Sequence, residues 1–475
     1  MQKLIKFINS NLHYFMITIF TFVGWIIDAQ FTLVGRTISV NEIFLTIIVL
    51  WAAIILALVK DTKNVIFILI AALLTLNTQN LGINTINDAN FLYIIVAIFF
   101  IGLLTHIFRF RYHFKWGYMT IGFTLMALSY FLPIIFEDIE ATNLLYIISS
   151  IGIIYLVIYW FINSTSSAKT EDLLKNFFFM SIIILLQLYY TYIVGYIGYG
   201  NLSFLEKLET GLKTGWGRHN FGYGNINDVI IFLTIAFSGQ LYYIHKNPNN
   251  VLYWFFPIIS VFATLLSGSR GGWVIWILLM LLVYLFFLTQ GNKRQIFFSS
   301  VAIIFILVPF VRYPEITKIF LETFKQGGFD DLNNFSSSRI QLYKDALAIF
   351  KKYPIFGGGW TAQFETYQDR IVIFHSSIFQ TLAISGLFGF FSFIVFMMSS
   401  FVLFIKKMNY HVMFLLFSWI ATFVHGLVDN TTHMVVFTIL SILIFNAVEN
   451  EGTSERPYKK EDHFYFLYDA HLEEK

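Results

Sequence analysis

Residues 272–290 read GWVIWILLMLLVYLFFLTQ, nineteen positions without a charged side chain. As a helix rising 1.5 Å per residue, such a run covers roughly 28 Å, about the hydrocarbon thickness of a bilayer. It is long enough to cross. Comparable apolar segments recur at 12–35, 43–59, 65–77, 91–108, 116–136, 144–162, 176–199, 228–245, 251–267, 296–311, 376–405, 412–429 and 434–448, so about fourteen spanning helices fill the chain. Those at 65–77 and 434–448 are short for a full crossing.

Composition agrees. Of 475 residues, 57% are hydrophobic and 12% charged, with a mean hydropathy of +0.70. No water-soluble core has these proportions, and the spans leave no room for a separate globular domain. The expected fold is all-α integral membrane, with about 12–14 transmembrane helices and a large extracytoplasmic loop containing an amphipathic helix. A soluble enzyme, a secreted module and a nucleic-acid-binding domain are excluded. The absence of cysteine excludes a disulfide framework, thiolate catalysis, iron–sulfur clusters and thiolate zinc sites.

Charge sets the orientation. With a cytoplasmic N-terminus, one set of short loops receives Lys3, Lys6, Lys60, Lys63, Arg109, Arg111, Lys115, Lys169, Lys175, Lys246, Lys293, Arg294, Lys406 and Lys407. The opposite short turns carry Glu137, Asp138 and Glu140, or almost no charge. This is the positive-inside pattern, so both termini are expected in the cytoplasm. Residues 1–448 then form a single polytopic domain and 449–475 a cytoplasmic tail. The first span follows Lys3 and Lys6 without a small-residue cleavage site and reads as an uncleaved anchor.

Two long segments, 200–227 and 312–375, fall outside. The 31 basic residues divide into 18 inside and 13 outside, and eleven of the outer 13 lie in these segments. Long loops are exempt from the orientation rule, so their cations need another reason. An anionic substrate at the outer face supplies one.

Five constellations are candidates for chemistry. Ser267-Gly268-Ser269-Arg270-Gly271-Gly272 sits at an outer helix junction, where glycine turns with exposed N–H groups and a fixed guanidinium make an anion-binding concavity. The bland reading is a turn whose Arg270 snorkels to headgroups. Ser336-Ser337-Ser338-Arg339 precedes Ile340, Tyr343, Leu347 and Phe350, a stripe that predicts a surface amphipathic helix capped by serine and ended before Pro354. Arg339 falls in its first turn, where a cation is disfavoured unless an anion shares the place or an acid such as Asp330 or Asp331 pairs with it.

His375-Ser376 opens the next helix, and helical spacing predicts His375, Gly386 and Gly389 on one face, with a neighbouring helix approaching the glycines. At a helix N-terminus the dipole disfavours imidazolium, leaving His375 able to accept a proton; the alternative is an interfacial structural histidine. Arg218-His219 with Phe221-Gly222-Tyr223-Gly224-Asn225 makes the other outer segment basic, aromatic and glycine-rich, suited to sugar rings or to interfacial anchoring. His425, Asp429 and His433 recur every four residues at an outer helix end. Hydrogen-bonding support is the favoured role for His425 and Asp429, because no fourth ligand accompanies them and zinc needs one.

Together these stretches resemble the O-antigen ligase and Wzy-type polysaccharide polymerase family of bacterial membrane glycosyltransferases. Ser267 to Gly272 is similar to its S-x-S-R-G turn. Arg339, Tyr343, Pro354 and Gly357 to Gly359 resemble the R…W…P-x-x-G-x-G passage, with tyrosine in place of tryptophan. His375-Ser376, nine residues, Gly386, two residues and Gly389 resemble H-[NSQ]-x9-G-x-x-G, with Phe390 where threonine or valine is usual. Arg218 through Asn225 and Asn227 resembles the R…G-F-x-x-N segment of capsule and exopolysaccharide polymerases. The likeness is specific over roughly 215–390 and hydropathic elsewhere.

The resemblance implies a multi-pass protein of the bacterial cytoplasmic membrane with its active site outside. Its donor would be a glycan on undecaprenyl diphosphate, attacked by an acceptor sugar hydroxyl. Arg270, Arg339 and Arg218 would stabilise the departing diphosphate, His375 would act as general base, and Ser269, Gly271, Gly386, Gly389, His425 and Asp429 would support them. No cofactor or metal is implied, attack would be direct and inverting, and the partners would be membrane lipids, a flippase and a chain-length regulator, with no nucleic acid. Phe390 and the Arg218 segment favour a polymerase over a ligase. A flippase or transporter is a remote alternative, because such proteins place ionisable groups near the midplane and these lie at helix ends.

Overall fold

The computed structural model describes residues 1–27, 30–33, 36–76, 89–133, 143–214, 216, 226–325, 339–360, 374–431 and 434–452. Its helices are α1 (Gln2–Ile8), α2 (Asn11–Ile26), α3 (Val40–Leu58), α4 (Ile66–Leu76), α5 (Ala89–Phe110), α6 (Thr120–Phe131), α7 (Asn143–Thr165), α8 (Thr170–Gly198), α9 (Phe204–Thr214), α10 (Ile226–Lys246), α11 (Val251–Leu266), α12 (Arg270–Gln290), α13 (Lys293–Arg312), α14 (Pro314–Phe324), α15 (Arg339–Lys352), α16 (Ser377–Lys406), α17 (Tyr410–Gly426) and α18 (Val435–Glu449). All but α1, α9, α14 and α15 answer to the fourteen apolar segments. Six of them, α3, α8, α10, α12, α13 and α16, are long and apolar enough by themselves to cross a bilayer. The protein is an all-α integral membrane protein.

Polar residues set the helix starts. Ser10, Asn250, Ser269, Asn292 and Asn409 each accept from a backbone N–H two or three residues ahead, satisfying a donor that the first turn leaves without a partner. The first span is shorter than its apolar run suggested. It ends at Ile26, and an antiparallel hairpin follows, β1 (Gln30–Leu33) pairing with β2 (Arg36–Ser39) in the register Gln30 to Ser39 and Leu33 to Arg36. Thr32, Thr37 and Ile38 are β-branched, which favours the extended pairing there over a longer helix.

Of the six long spans, α10 is the most enclosed, with 83% of its apolar window buried, and α13 the most peripheral at 11%. α10 lies against α8 so closely that a Cβ on Gly239 would sit 2.2 Å from the Phe178 nitrogen and 2.5 Å from the Leu174 oxygen. Phe177, Phe232, Phe237, Trp276, Trp419 and Phe445 fill the core around this pair. The N-terminal helices pack a second cluster about Leu45, Ile48, Ile55 and Ile68. Tyr14 of α2 belongs to the larger cluster and donates to Asn176 Oδ1 of α8 at 2.7 Å.

Side-chain ties gather the cationic short loops at one end of the bundle. Lys175 reaches the Asn9 carbonyl, Lys115 reaches Asn450, Lys246 pairs with Glu171 and Lys407 reaches the Glu451 carbonyl. Since α8, α10 and α16 each have one end there, the N-termini of α10 and α16 lie at the other. That opposite end carries the candidate site.

Candidate active site

The S-x-S-R-G turn is held from three sides. Ser269 caps α12 by accepting from the Gly272 N–H at 3.0 Å, so Arg270 is the first helical residue. A Cβ on Gly268 would meet the Leu212 carbonyl of α9 at 2.4 Å, and one on Gly271 would meet His425 Nε2 of α17 at 3.2 Å. The sequence suggested freely presented N–H groups, and two of the turn's are taken up within it: the Ser269 N–H donates to Ser267 Oγ and that of Gly272 to Ser269 Oγ, because a two-serine turn caps itself. The Arg270 guanidinium reaches the Phe324 carbonyl of α14 at 3.5 Å.

α15 starts at Arg339, as the stripe foretold, but its docked face is turned. Ala346 and Ile349 are buried with Leu342 beside Phe374, Phe379 and Ala383, whereas Leu347 is 37% exposed. Tyr343 serves the docking: its ring stacks on Phe379 at 4.4 Å between centroids, and its hydroxyl donates to the His375 carbonyl at 3.2 Å. Burial pushes the Tyr343 phenol up from its ordinary pKa, keeping it a donor.

His375 is not part of α16. The helix begins at Ser377 with Ser376 as its N-cap, and His375 has φ of 48°, a left-handed conformation that costs a non-glycine residue about 1–3 kcal/mol. Gln380 offsets this by accepting from the Phe374 N–H at 2.8 Å, and the Ser377 N–H donates to the Asp429 carbonyl at 3.2 Å.

The expected single face of His375, Gly386 and Gly389 does not form. α16 breaks at Gly386, which has φ of 60° and ψ of −151°. What approaches the break is no helix but the loop from Pro354 to Gly359. The N–H groups of Gly358 and Gly359 donate to the carbonyls of Ala383 and Ile384 at 2.9 and 3.0 Å. On the far side, the N–H groups of Leu387 and Phe388 donate to the carbonyls of Pro354 and Ile355 at 2.8 and 3.0 Å. The loop restores the bonds the break removes, which in a bilayer is essential because each unsatisfied group costs several kcal/mol. Gly389 is buried just beyond the break, against Thr381 and Ser385 of its own helix.

Asp429, only 5% exposed, gathers the site. His375 Nδ1 lies 3.2 Å from its Oδ1, the Asn430 N–H donates to the same oxygen at 2.8 Å, and Asn227 Nδ2 donates to Oδ2 at 3.0 Å. Arg339 Nη2 stands 3.8 Å from Oδ2. Burial alone would raise the carboxyl, but the hydrogen bonds from His375 and the Asn430 N–H, with the Arg339 charge, hold it below the usual carboxylate range. A carboxylate only accepts, so His375 must carry its proton on Nδ1, leaving Nε2 as the lone pair when the ring is neutral. Arg339 and Arg270 lie within electrostatic reach of each other.

Of the residues singled out from sequence, Ser269, Arg270, Gly271, Arg339, His375, His425 and Asp429 come together at one end of the bundle. Arg218, the glycines and aromatics from Phe221 to Asn225, and His433 lie outside the described residues, as do Asp330, Asp331 and Ser336 to Ser338. Sequence reasoning missed Gln380, and gave Asn227 and Tyr343 no contacts. Three consecutive glycines after Pro354 were the legible sign of a close backbone approach.

Residues 255–394 match the family model described as O-antigen ligase. An uncharacterized protein of Haemophilus influenzae is 24% identical over 43% of this chain, and the match spans 55% of that relative's length. The family match contains Arg270, Arg339, His375 and the Gly386 break. Asn227 and Asp429, which the fold brings to the same place, lie outside it.

Proposed function

We propose that the chain, whose residues 255–394 match the O-antigen ligase family model, is a membrane glycosyltransferase-type enzyme of the O-antigen ligase and Wzy-type family that polymerises a bacterial surface polysaccharide on the outer face of the cytoplasmic membrane. The observation that carries this reading is Asp429, a buried carboxylate shared by His375 and Arg339. It joins a base to an anion-binding cation in one constellation.

The donor is a glycan on undecaprenyl diphosphate. Arg270 and Arg339 hold the diphosphate, each offering a planar fork that stays charged at any working pH. A groove of about 400 Å³ between α13 and α14, lined by Phe310, Pro314, Thr317, Lys318, Leu321, Glu322 and Lys325, is the course we assign to the polyprenyl chain. His375 Nε2 takes the proton of the acceptor hydroxyl while Asp429 fixes the opposite nitrogen. The acceptor oxygen then bonds to the anomeric carbon from the side opposite the diphosphate, whose C–O bond breaks with inversion. The arginines stabilise the charge that develops on the leaving oxygen, with no metal required.

A ligase transferring the same glycan to a non-polymer acceptor is the second reading, favoured by the family description and by the His375-Ser376-x9-Gly386-x2-Gly389 spacing. Purified protein given only lipid-linked repeat units separates the two. Long chains support polymerase, a product seen only with an added non-polymer acceptor supports ligase, and no transfer in either case contradicts both.

A further inference from the structure

The charged turn and the His375–Asp429 pair come from separate segments of the chain, yet one side chain touches both halves. Asn227, in the first turn of α10, accepts from Ser269 Oγ at 2.6 Å and donates to Asp429 Oδ2 at 3.0 Å. Ser269 in turn fixes the start of α12 through the Gly272 N–H, and Asp429 holds His375 and Arg339. We propose that Asn227 is a positioning residue that sets the separation of Arg270 from the His375–Asp429 pair. This rests on the reading of His375 as general base.

The amide's polarity is what makes the link. Its oxygen can only accept and its nitrogen only donate, matching a hydroxyl on one side and a carboxylate on the other. A second carboxylate at this position keeps the first bond and replaces the other by repulsion. The groups facing Asp429 are His375, Arg339, His425, Asp228 and Tyr343. Of these, His375 alone bonds Oδ1 from a side chain, so loss of the Asn227 donor from Oδ2 leaves more of the carboxylate charge for its imidazolium. The acidic limb of the rate profile then moves to higher pH.

Asn227→Asp and Asn227→Ala, purified in detergent and assayed with lipid-linked repeat units beside wild type and His375→Ala, test this. The proposal expects turnover to fall about 10- to 100-fold in both, as for misplacement of a catalytic group, with the donor KM changed less than about threefold. The acidic limb should shift upward, by more in Asn227→Asp, by roughly one pH unit. A wild-type limb and turnover in folded Asn227→Asp, with His375→Ala inactive, overturns the positioning role and leaves the base assignment standing. Loss in KM alone overturns it too, and an active His375→Ala overturns both. Should Asn227→Ala fail to fold, the isosteric Asn227→Asp carries the test.

Discussion

Replacing Gly386 by alanine probes the break at which the loop after α15 is clamped to α16. Its φ of 60° and ψ of −151° fall in a region essentially reserved for glycine, and forcing a Cβ there costs about 1–3 kcal/mol. The added carbon would also lie 2.5 Å from the Gly357 nitrogen and 2.6 Å from the Ile355 oxygen, both main-chain atoms that cannot rotate away. Expelling the loop forfeits four backbone hydrogen bonds at about 0.5–1.5 kcal/mol each, so the total loss is at least roughly 3 kcal/mol. That is a large share of a stability of about 5–15 kcal/mol. Thermal unfolding in detergent, followed by size-exclusion detection, should show the loss, with turnover falling in whatever protein stays folded. Gly198→Ala is the control: nothing lies within 4 Å of the added carbon, so the change should stay within about 0.5 kcal/mol. Wild-type stability and activity in Gly386→Ala would refute the clamped break.

Arg270→Ala and Arg339→Ala should each lose on the order of 10²-fold in turnover, with lysine rescuing only in part, because a point charge lacks the planar fork; initial rates on lipid-linked repeat units measure both. Asp429 is held below the usual carboxylate range, so the stability it contributes is complete above the unfolded carboxyl value of about 4 and is lost as pH falls through the lower folded value. Melting curves from pH 6 to 3 should show that slope in wild type and a flatter one in Asp429→Asn. For orientation, Ser203→Cys should react with an impermeant maleimide on intact cells and Gly452→Cys only after permeabilisation; the reverse pattern would place the site in the cytoplasm.

The spans were legible because a twenty-residue apolar run has one use at bilayer thickness, and each of the fourteen became a helix. Where the reading went wrong, periodicity was extended past its cause. The 376–405 run is apolar throughout, but Gly386 takes a conformation that no helical count can detect, and the partner that stabilises it is loop backbone from a different motif. The stripe on α15 foretold a helix but not its rotation, because Leu347 and Ala346 compete for one interface and the smaller side chain allows the closer approach. His375, Arg270 and Arg339 carried chemical signals of their own. Asn227 was legible only as part of a family-like segment, since its contacts are with Ser269 and Asp429, 42 and 202 residues away.

If the arginines bind the donor and His375 moves the proton, one variant separates these acts. In His375→Ala, measured with purified protein, binding of the lipid-linked donor should stay within about threefold of wild type while turnover drops by roughly 10² to 10⁴. Wild-type turnover, or a loss of donor binding equal to the loss of turnover, would contradict this division of roles.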